Sequence, residues 1–325
     1  MHPTDETIAA SGGQDDKSYL WRLDSGEKIY NLGVHTDTVV AIGFNYNGEY
    51  VASGGMDGKV FVFRVPDGSL VCSLDAQADI VWLQWHPNGN MLLCGTEDGS
   101  AWMWLVPSGE CKQVFGGVHV EAVTGGQFTP DGKLVVTASQ DGSLVIWDPK
   151  TATAIHKFTP KDSRFHQTAI TTLAVSPDSS TVLSGGQDGS VRLVSVATGK
   201  ILTAFDGHSE SIEGIGFSTV VPFAATASVE GSVCVWDMNA MKLRLTLRHD
   251  DAVTKLVWHQ ATPHLSTSSM DCTIKTWDAR TGECIATSRG HQEGVLDFCV
   301  RSDGQYILSG SDDGVALLFE VSARQ

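Results

Sequence analysis

Four residue types recur together in this chain at spacings that could carry chemistry. His119, Thr137, Asp141 and Trp147 form one set, and His249, Thr267, Asp271 and Trp277 form another with the same intervals. A histidine, a hydroxyl and a carboxylate are the parts of an activated nucleophile. The same residues can also build a buried hydrogen-bonded chain, in which a carboxylate is tolerated because its oxygens find donors. Recurrence decides between the two. With the acid as anchor, near-copies fall at Asp15, Asp57, Asp98, Asp141, Asp188, Glu230, Asp271 and Asp313, at intervals of 42, 41, 43, 47, 42, 41 and 42 residues. Four residues before each anchor stands Ser11, Ser53, Cys94, Thr137, Ser184, Thr226, Thr267 or Ser309. Six after it stands Trp21, Phe63, Trp104, Trp147, Val194, Trp236, Trp277 or Phe319. Twenty-two before it, from the second unit on, stands His35, Ala76, His119, His166, His208, His249 or His291. Catalytic sites do not come in near-copies. The sets are therefore read as structural, no residue is assigned as catalytic, and the repeated histidines are not read as metal ligands.

The elements that must position these residues follow from the same spacing. "TVVAIGF", "YVASGG" and "KVFVF" are short, apolar and rich in β-branched residues, and Asn-Gly or Asp-Gly turns join them. A weaker fourth run follows the aromatic, as in "SLVCSL", "AIHKFT", "KILTAF" and "ECIATS". Four antiparallel strands per roughly 42 residues make the blade of a β-propeller. Eight anchors predict an all-β, eight-bladed propeller occupying residues 1–325 as one domain. The alternative is seven blades, with the first unit filling out the last. His2-Pro3 aligns with His86-Pro87, which puts Met1 at the end of an inner strand outside this chain, so the first blade is predicted to be incomplete. The last unit ends at its third strand, "GVALLFEV".

Composition narrows the partners. The formal net charge is −16, with charged residues at 18% and apolar residues at 42% of the chain. Such a field repels nucleic acid and anionic membrane and attracts basic segments, although the same acidity would serve solubility alone. Basic residues with interleaved aromatics do not cluster. The most basic stretch, "HKFTPKDSRFHQ" (156–167), reads as an exposed loop between blades. "SGGQDG" leads into a strand, not a helix, so it is not a phosphate loop. Seven cysteines without a CxxC pair suggest neither a disulfide framework nor a zinc site, and they fit a reducing compartment. No apolar run approaches the ~20 residues of a membrane span. No signal peptide is recognised. No cofactor, metal, direct nucleic-acid contact or membrane contact is expected.

A binding surface is legible in the acids. Two residues after each entrance histidine, or its replacement Ala76, stand Asp37, Ala78, Glu121, Thr168, Glu210, Asp251 and Glu293, with Asp79 beside Ala78. Loops between second and third strands add Asp16, Glu97 and Asp312. Glu213 and Asp297 lie further along their inner strands. These side chains are expected to line one mouth of the central channel, where carboxylates concentrate negative potential and pair with Lys and Arg. Trp82 and Trp102 are candidate rim aromatics for guanidinium stacking. The alternatives are local turn hydrogen bonds for the acids and core packing for the tryptophans.

Trp147-Asp148, Trp236-Asp237 and Trp277-Asp278, with Gly207-His208 and Gly290-His291, resemble the WD-repeat signature. "WLQWHP" (82–87), "GTEDGSAWMWLVPSGECK" (95–112), "RLVSVATGK" (192–200), "GFSTVVPFAA" (216–225) and "WDARTGECI" (277–285) resemble the angio-associated migratory cell protein family, down to the off-pattern Val194-Ser195. The resemblance runs from about residue 2 to 321. That family includes a fungal chaperone dedicated to one late-joining protein of the large ribosomal subunit. The resemblance implies a cytoplasmic, non-catalytic propeller; a monomer is expected, with the nucleus as a further location. Such a protein would capture the basic N-terminus of a newly made large-subunit ribosomal protein. In animals the family is linked to migration and signalling, so a multivalent scaffold or ubiquitin-ligase substrate receptor is the alternative. Members usually carry an acidic segment before the propeller, which is not expected in this chain.

Overall fold

Short runs of Val, Ile and Phe satisfy their backbone by pairing edge to edge and bury their side chains by stacking sheet on sheet. The computed structural model describes residues 1–321, in which these runs form eight antiparallel sheets. Sheet 1 has three strands, Ile8–Gly12, Ser18–Arg22 and Lys28–Asn31. Sheets 2 to 7 have four strands each, paired in chain order; in sheet 2 they are Val39–Phe44, Tyr50–Gly55, Lys59–Arg64 and Leu70–Asp75. Sheet 8 has three, Val295–Val300, Tyr306–Ser311 and Ala316–Glu320. The fold class is thus the all-β, eight-bladed propeller with a three-stranded first blade, and no helix occurs among the described residues. The seven-blade alternative falls because residues 8–31 form a sheet of their own.

The turn after each anchor acid needs a left-handed residue. Glycine supplies it in six units, for example Gly58 at φ 72° and Gly142 at φ 77°, while Asp16 and Cys272 adopt it at 61° and 66°.

By contact, the chain divides into two compact units: sheets 1–4 within Met1–Thr159, and sheets 5–8 beginning at Pro160. In the first unit, Ala52, Val60 and Val62 of sheet 2 pack on Trp85, Leu92 and Trp104 of sheet 3. The other face of sheet 3, with Leu93, Met103 and Phe115, packs on Phe128, Val145 and Trp147 of sheet 4. In the second unit, Leu193 and Phe205 of sheet 5 meet Trp236 of sheet 6, and Val233, Val235 and Leu247 of sheet 6 meet Leu256, Leu265 and Trp277 of sheet 7. Burying one such side chain contributes about 1.5–3 kcal/mol, so neighbouring sheets stabilise one another more than any sheet stabilises itself.

In sheets 2 to 8 the first strand carries a bulge at its second residue, as between Val39 and Ala41 or Val253 and Lys255. Where that residue is threonine it can tie one blade to the next. The Thr254 hydroxyl donates to the Val295 carbonyl at 2.6 Å, and Thr171 donates likewise to Ile212.

Candidate functional site

The recurring polar sets come first, because they fix the loops that carry the acids. In sheet 4 the Trp147 indole N–H donates to Thr137 Oγ1 at 2.7 Å, and Thr137 Oγ1 lies 2.6 Å from His119 Nε2. On its other side, His119 Nδ1 lies 2.7 Å from Ser143 Oγ, which donates to Asp141. One polarity satisfies every group: indole to threonine to imidazole to serine to carboxylate. Asp141 itself stays 3.9 Å from the ring and accepts the Val120 N–H at 2.9 Å. In sheet 7 the acid is reached directly, with His249 Nδ1 2.9 Å from Asp271 and Nε2 2.8 Å from Thr267. Sheet 6 holds a third full set that the sequence pattern did not count as complete. His208 lies 2.9 Å from Glu230 and 2.8 Å from Thr226, which accepts the Trp236 N–H at 2.9 Å.

Burial and bonding set the charge states. Burial would raise the Asp271 carboxyl, but hydrogen bonds from Thr273 and His249 outweigh it and hold the group down at about 2. Glu230 is held at about 2 against the same burial by Ser209, Ser232 and His208. Burial pushes the His249 and His208 rings below their ordinary value, against the pull of their acids. His166 in sheet 5 bonds only to hydroxyls, and burial, helped by the Arg192 charge, takes it down to about 3. The threonine hydroxyls are wholly buried and already engaged by imidazole and indole. They act as clasps that fasten the loop before the first strand to the second and third strands. Among the described residues no group of three His, Cys, Asp or Glu side chains is placed to hold a metal ion.

Sheet 3 lacks the histidine and the hydroxyl, having Ala76 and Cys94 instead. Trp102 stands in for the ring. Its N–H donates to Ser100 Oγ at 2.9 Å, the position equivalent to Ser143, and its ring stacks on Trp104 with centroids 5.8 Å apart. Trp82, on the first strand of sheet 3, donates its N–H to the Val123 carbonyl at 2.8 Å. Its ring lies so close to Gly95 and Gly126 that a Cβ on either would approach it to 2.2 Å. Both tryptophans expected at a rim thus have their N–H and most of their surface taken up by blade packing.

The acids behave differently. In the first unit Asp37, Glu97 and Glu121 are exposed and Asp79 is half-buried; in the second, Glu210, Glu213, Asp251, Glu293, Asp297 and Asp312 are all exposed. Their backbone is held while the carboxylates of Glu121, Glu210 and Glu293 face solvent. The Ser139, Ser228, Ser269 and Ser311 hydroxyls donate to the carbonyls of Glu121, Glu210, Asp251 and Glu293 at 3.0, 3.1, 3.0 and 3.1 Å. Each of these serines also accepts the N–H of its anchor acid. The Glu97 and Asp312 N–H groups donate to the carbonyls of Asp79 and Gly294 at 3.1 Å each. Within sheets 2 to 8, therefore, the loop before the first strand and the turn between second and third strands are fastened together at one end. Some acids also make local bonds: Asp37 and Asp251 accept the next N–H at 2.7 Å, and Glu213 accepts Ser211 Oγ at 2.7 Å. Asp297, well exposed, is paired with Lys255, which is half-buried. A pair open to solvent in this way stabilises by only about 0–1 kcal/mol. Sequence reasoning missed the serine fasteners, although a serine two residues before the anchor recurs in the last half of the chain, and it missed Lys255.

A model of the WD40 family (WD domain, G-beta repeat) matches residues 26–64, 68–104, 109–148, 159–195, 199–237, 241–278 and 282–320. Each stretch covers the first three strands of one of sheets 2 to 8, and all but 159–195 also take in the last strand of the sheet before, so eight sheets yield seven matches. This is a WD40-repeat propeller. The chain is 36% identical over 334 residues to the human angio-associated migratory cell protein, covering 98% of this chain and 76% of that protein. It is 26% identical to the ribosome assembly protein SQT1 of Saccharomyces cerevisiae, covering 98% of this chain and 83% of that one. The crystal structure of Chaetomium thermophilum Sqt1 bound to the N-terminus of the ribosomal protein L10 matches with a TM-score of 0.92 at 29% identity, covering 98% of this chain and 95% of the other. The chain belongs to the angio-associated migratory cell protein family of WD40 proteins.

Proposed function

We propose that this protein is a non-catalytic chaperone that captures the basic N-terminal segment of a newly made large-subunit ribosomal protein and hands it to the assembling ribosome. The observation that carries this is the recurrence of an exposed carboxylate on serine-fastened loops at one end of sheets in both units. Rigid, solvated carboxylates attract a flexible cationic chain, steer its approach and pair with Arg and Lys without first being desolvated. The likeness to an L10-bound Sqt1 supports the choice of client. The protein works in the cytoplasm as a monomer and contacts no nucleic acid itself. Affinity purification from growing cells tests this. A single basic large-subunit protein should co-purify in stoichiometric amount, and deleting that protein's N-terminal segment should abolish its recovery.

The kinship with a migratory cell protein favours a second reading, a multivalent scaffold for signalling or for a ubiquitin ligase. Stoichiometric partners that lack a basic segment would select it over the first.

A further inference from the structure

In sheets 2 to 7 the fourth strand forms an edge, and one side of its backbone pairs with no other strand. In sheet 6 that strand is Lys242–Arg248, seven residues long, and it reads KLRLTLR. Lys242, Arg244 and Arg248 are exposed, and so are Leu243 and, just before the strand, Met241. The three cations stand 12, 14 and 18 residues after the anchor Glu230. The same positions hold Ser69, Val71 and Asp75 in sheet 2, and Glu110, Lys112 and Gly116 in sheet 3. Among sheets 1 to 7, sheet 6 alone has a cation at all three.

Cations on other fourth strands are engaged nearby. Lys112 pairs with Glu110 at 2.7 Å, and Lys157 donates to the Val118 carbonyl at 3.0 Å. Among the described residues, no carboxylate pairs with Lys242, Arg244 or Arg248. Arg244 is nonetheless held in place. Its Nη2 donates to the Arg280 carbonyl at 2.9 Å, and its guanidinium lies 4.8 Å from the centre of the Phe223 ring. Three cations without an acid on one short strand run against the composition of a chain with 38 acids and 22 bases.

We propose that this edge docks an acidic, extended segment of a partner protein, which adds to sheet 6 as a fifth strand. Backbone groups along Leu245–Arg248, where pairing to the third strand is regular, supply the hydrogen bonds. Carboxylates on alternate residues of the segment pair with the cations, those on Arg in bidentate fashion. Met241 and Leu243 offer contacts to its apolar residues. A second copy of the same edge is disfavoured, because like charges would face one another across the strands. The net charge of −16 does not prevent docking, since charges further than about 8 Å are largely screened at physiological salt. The proposal stands independently of the acidic-end reading.

Two labelled peptides test it, one alternating Glu with Val, the other identical except for Gln at every Glu. Fluorescence anisotropy should show the wild-type protein binding the Glu peptide about tenfold more tightly. The Lys242→Glu, Arg248→Glu variant should lose that preference while its melting curve stays in place; both sites are solvent-exposed. Methylating alternate backbone nitrogens of the Glu peptide should also weaken its binding, because the edge can then no longer receive its N–H groups. Equal affinity of the wild type for both peptides, or an undiminished preference in the variant, would overturn the proposal. So would full binding of the methylated peptide, or a single-stranded RNA of equal charge that binds the wild type more tightly than the Glu peptide and is lost in the variant.

Discussion

Sheets 3 and 4 face each other across one core, yet they solve the same problem with different residues. Sheet 4 fastens its entering loop through imidazole, two hydroxyls and a carboxylate. Sheet 3 has no histidine and sets Trp102 against Ser100 and Trp104. The two sheets end up with the same strand order and comparable burial. The polar set is thus a replaceable fastening, since sheet 3 keeps the same strand order without it.

The comparison can be broken most forcefully at Thr137. Thr137→Val leaves the Trp147 N–H and one face of His119 buried without partners, each worth about 1–3 kcal/mol. Urea denaturation should register a loss of about 2–4 kcal/mol, whereas Cys94→Ala at the equivalent place in sheet 3 should lose about 1 kcal/mol. Equal losses would mean that sheet 4 gains nothing from its network. A sharper cut follows at Trp102. Trp102→Ala should destabilise by about 2–3 kcal/mol, less than a fully buried tryptophan because the ring is only partly covered. Adding Ala76→His should then recover about 1 kcal/mol, since an imidazole in the vacated space can reach Ser100 as His119 reaches Ser143. Further loss in the double variant would show that Trp102 does not stand in for the ring.

Acid probes the same buried rings without a substitution. The folded His166 ring takes a proton only near pH 3, the unfolded ring near 6.5, so protons favour the unfolded chain between those values. Stability present above pH 6.5 should fall by about 1.4 kcal/mol per pH unit below it from this residue alone. Below about pH 4.5 the depressed Glu230 and Asp271 carboxyls should add to the loss as the unfolded chain binds their protons first. His166→Asn should flatten the slope of the denaturation midpoint between pH 7 and 5, and a slope unchanged by the substitution would contradict the assignment.

Much of this was legible in the sequence, because rigid spacing from histidine to aromatic exposes the repeat. The eight anchors gave the eight sheets, and Asp-Gly pairs marked turns that do adopt positive φ. What stayed hidden depends on side-chain reach. Glu230 completes a third set because one extra methylene still meets His208. Ser143 slips between His119 and Asp141, a detour that spacing cannot reveal. Ala76 read as a gap, since nothing in the pattern said that Trp102 would fill it from another strand. Lys255 and Asp297 share a repeat position in adjacent sheets, yet their pairing emerges only once the first strands lie side by side.

The most direct measurement is the affinity of an Arg/Lys-rich peptide for the wild-type protein and for a Glu121→Lys, Glu210→Lys variant, each titrated at low and at high salt. Solvated carboxylates holding a cationic chain predict binding that weakens steeply as salt screens it and is lost in the variant while the melting curve stays in place. Binding that ignores both salt and the two reversals would contradict the account.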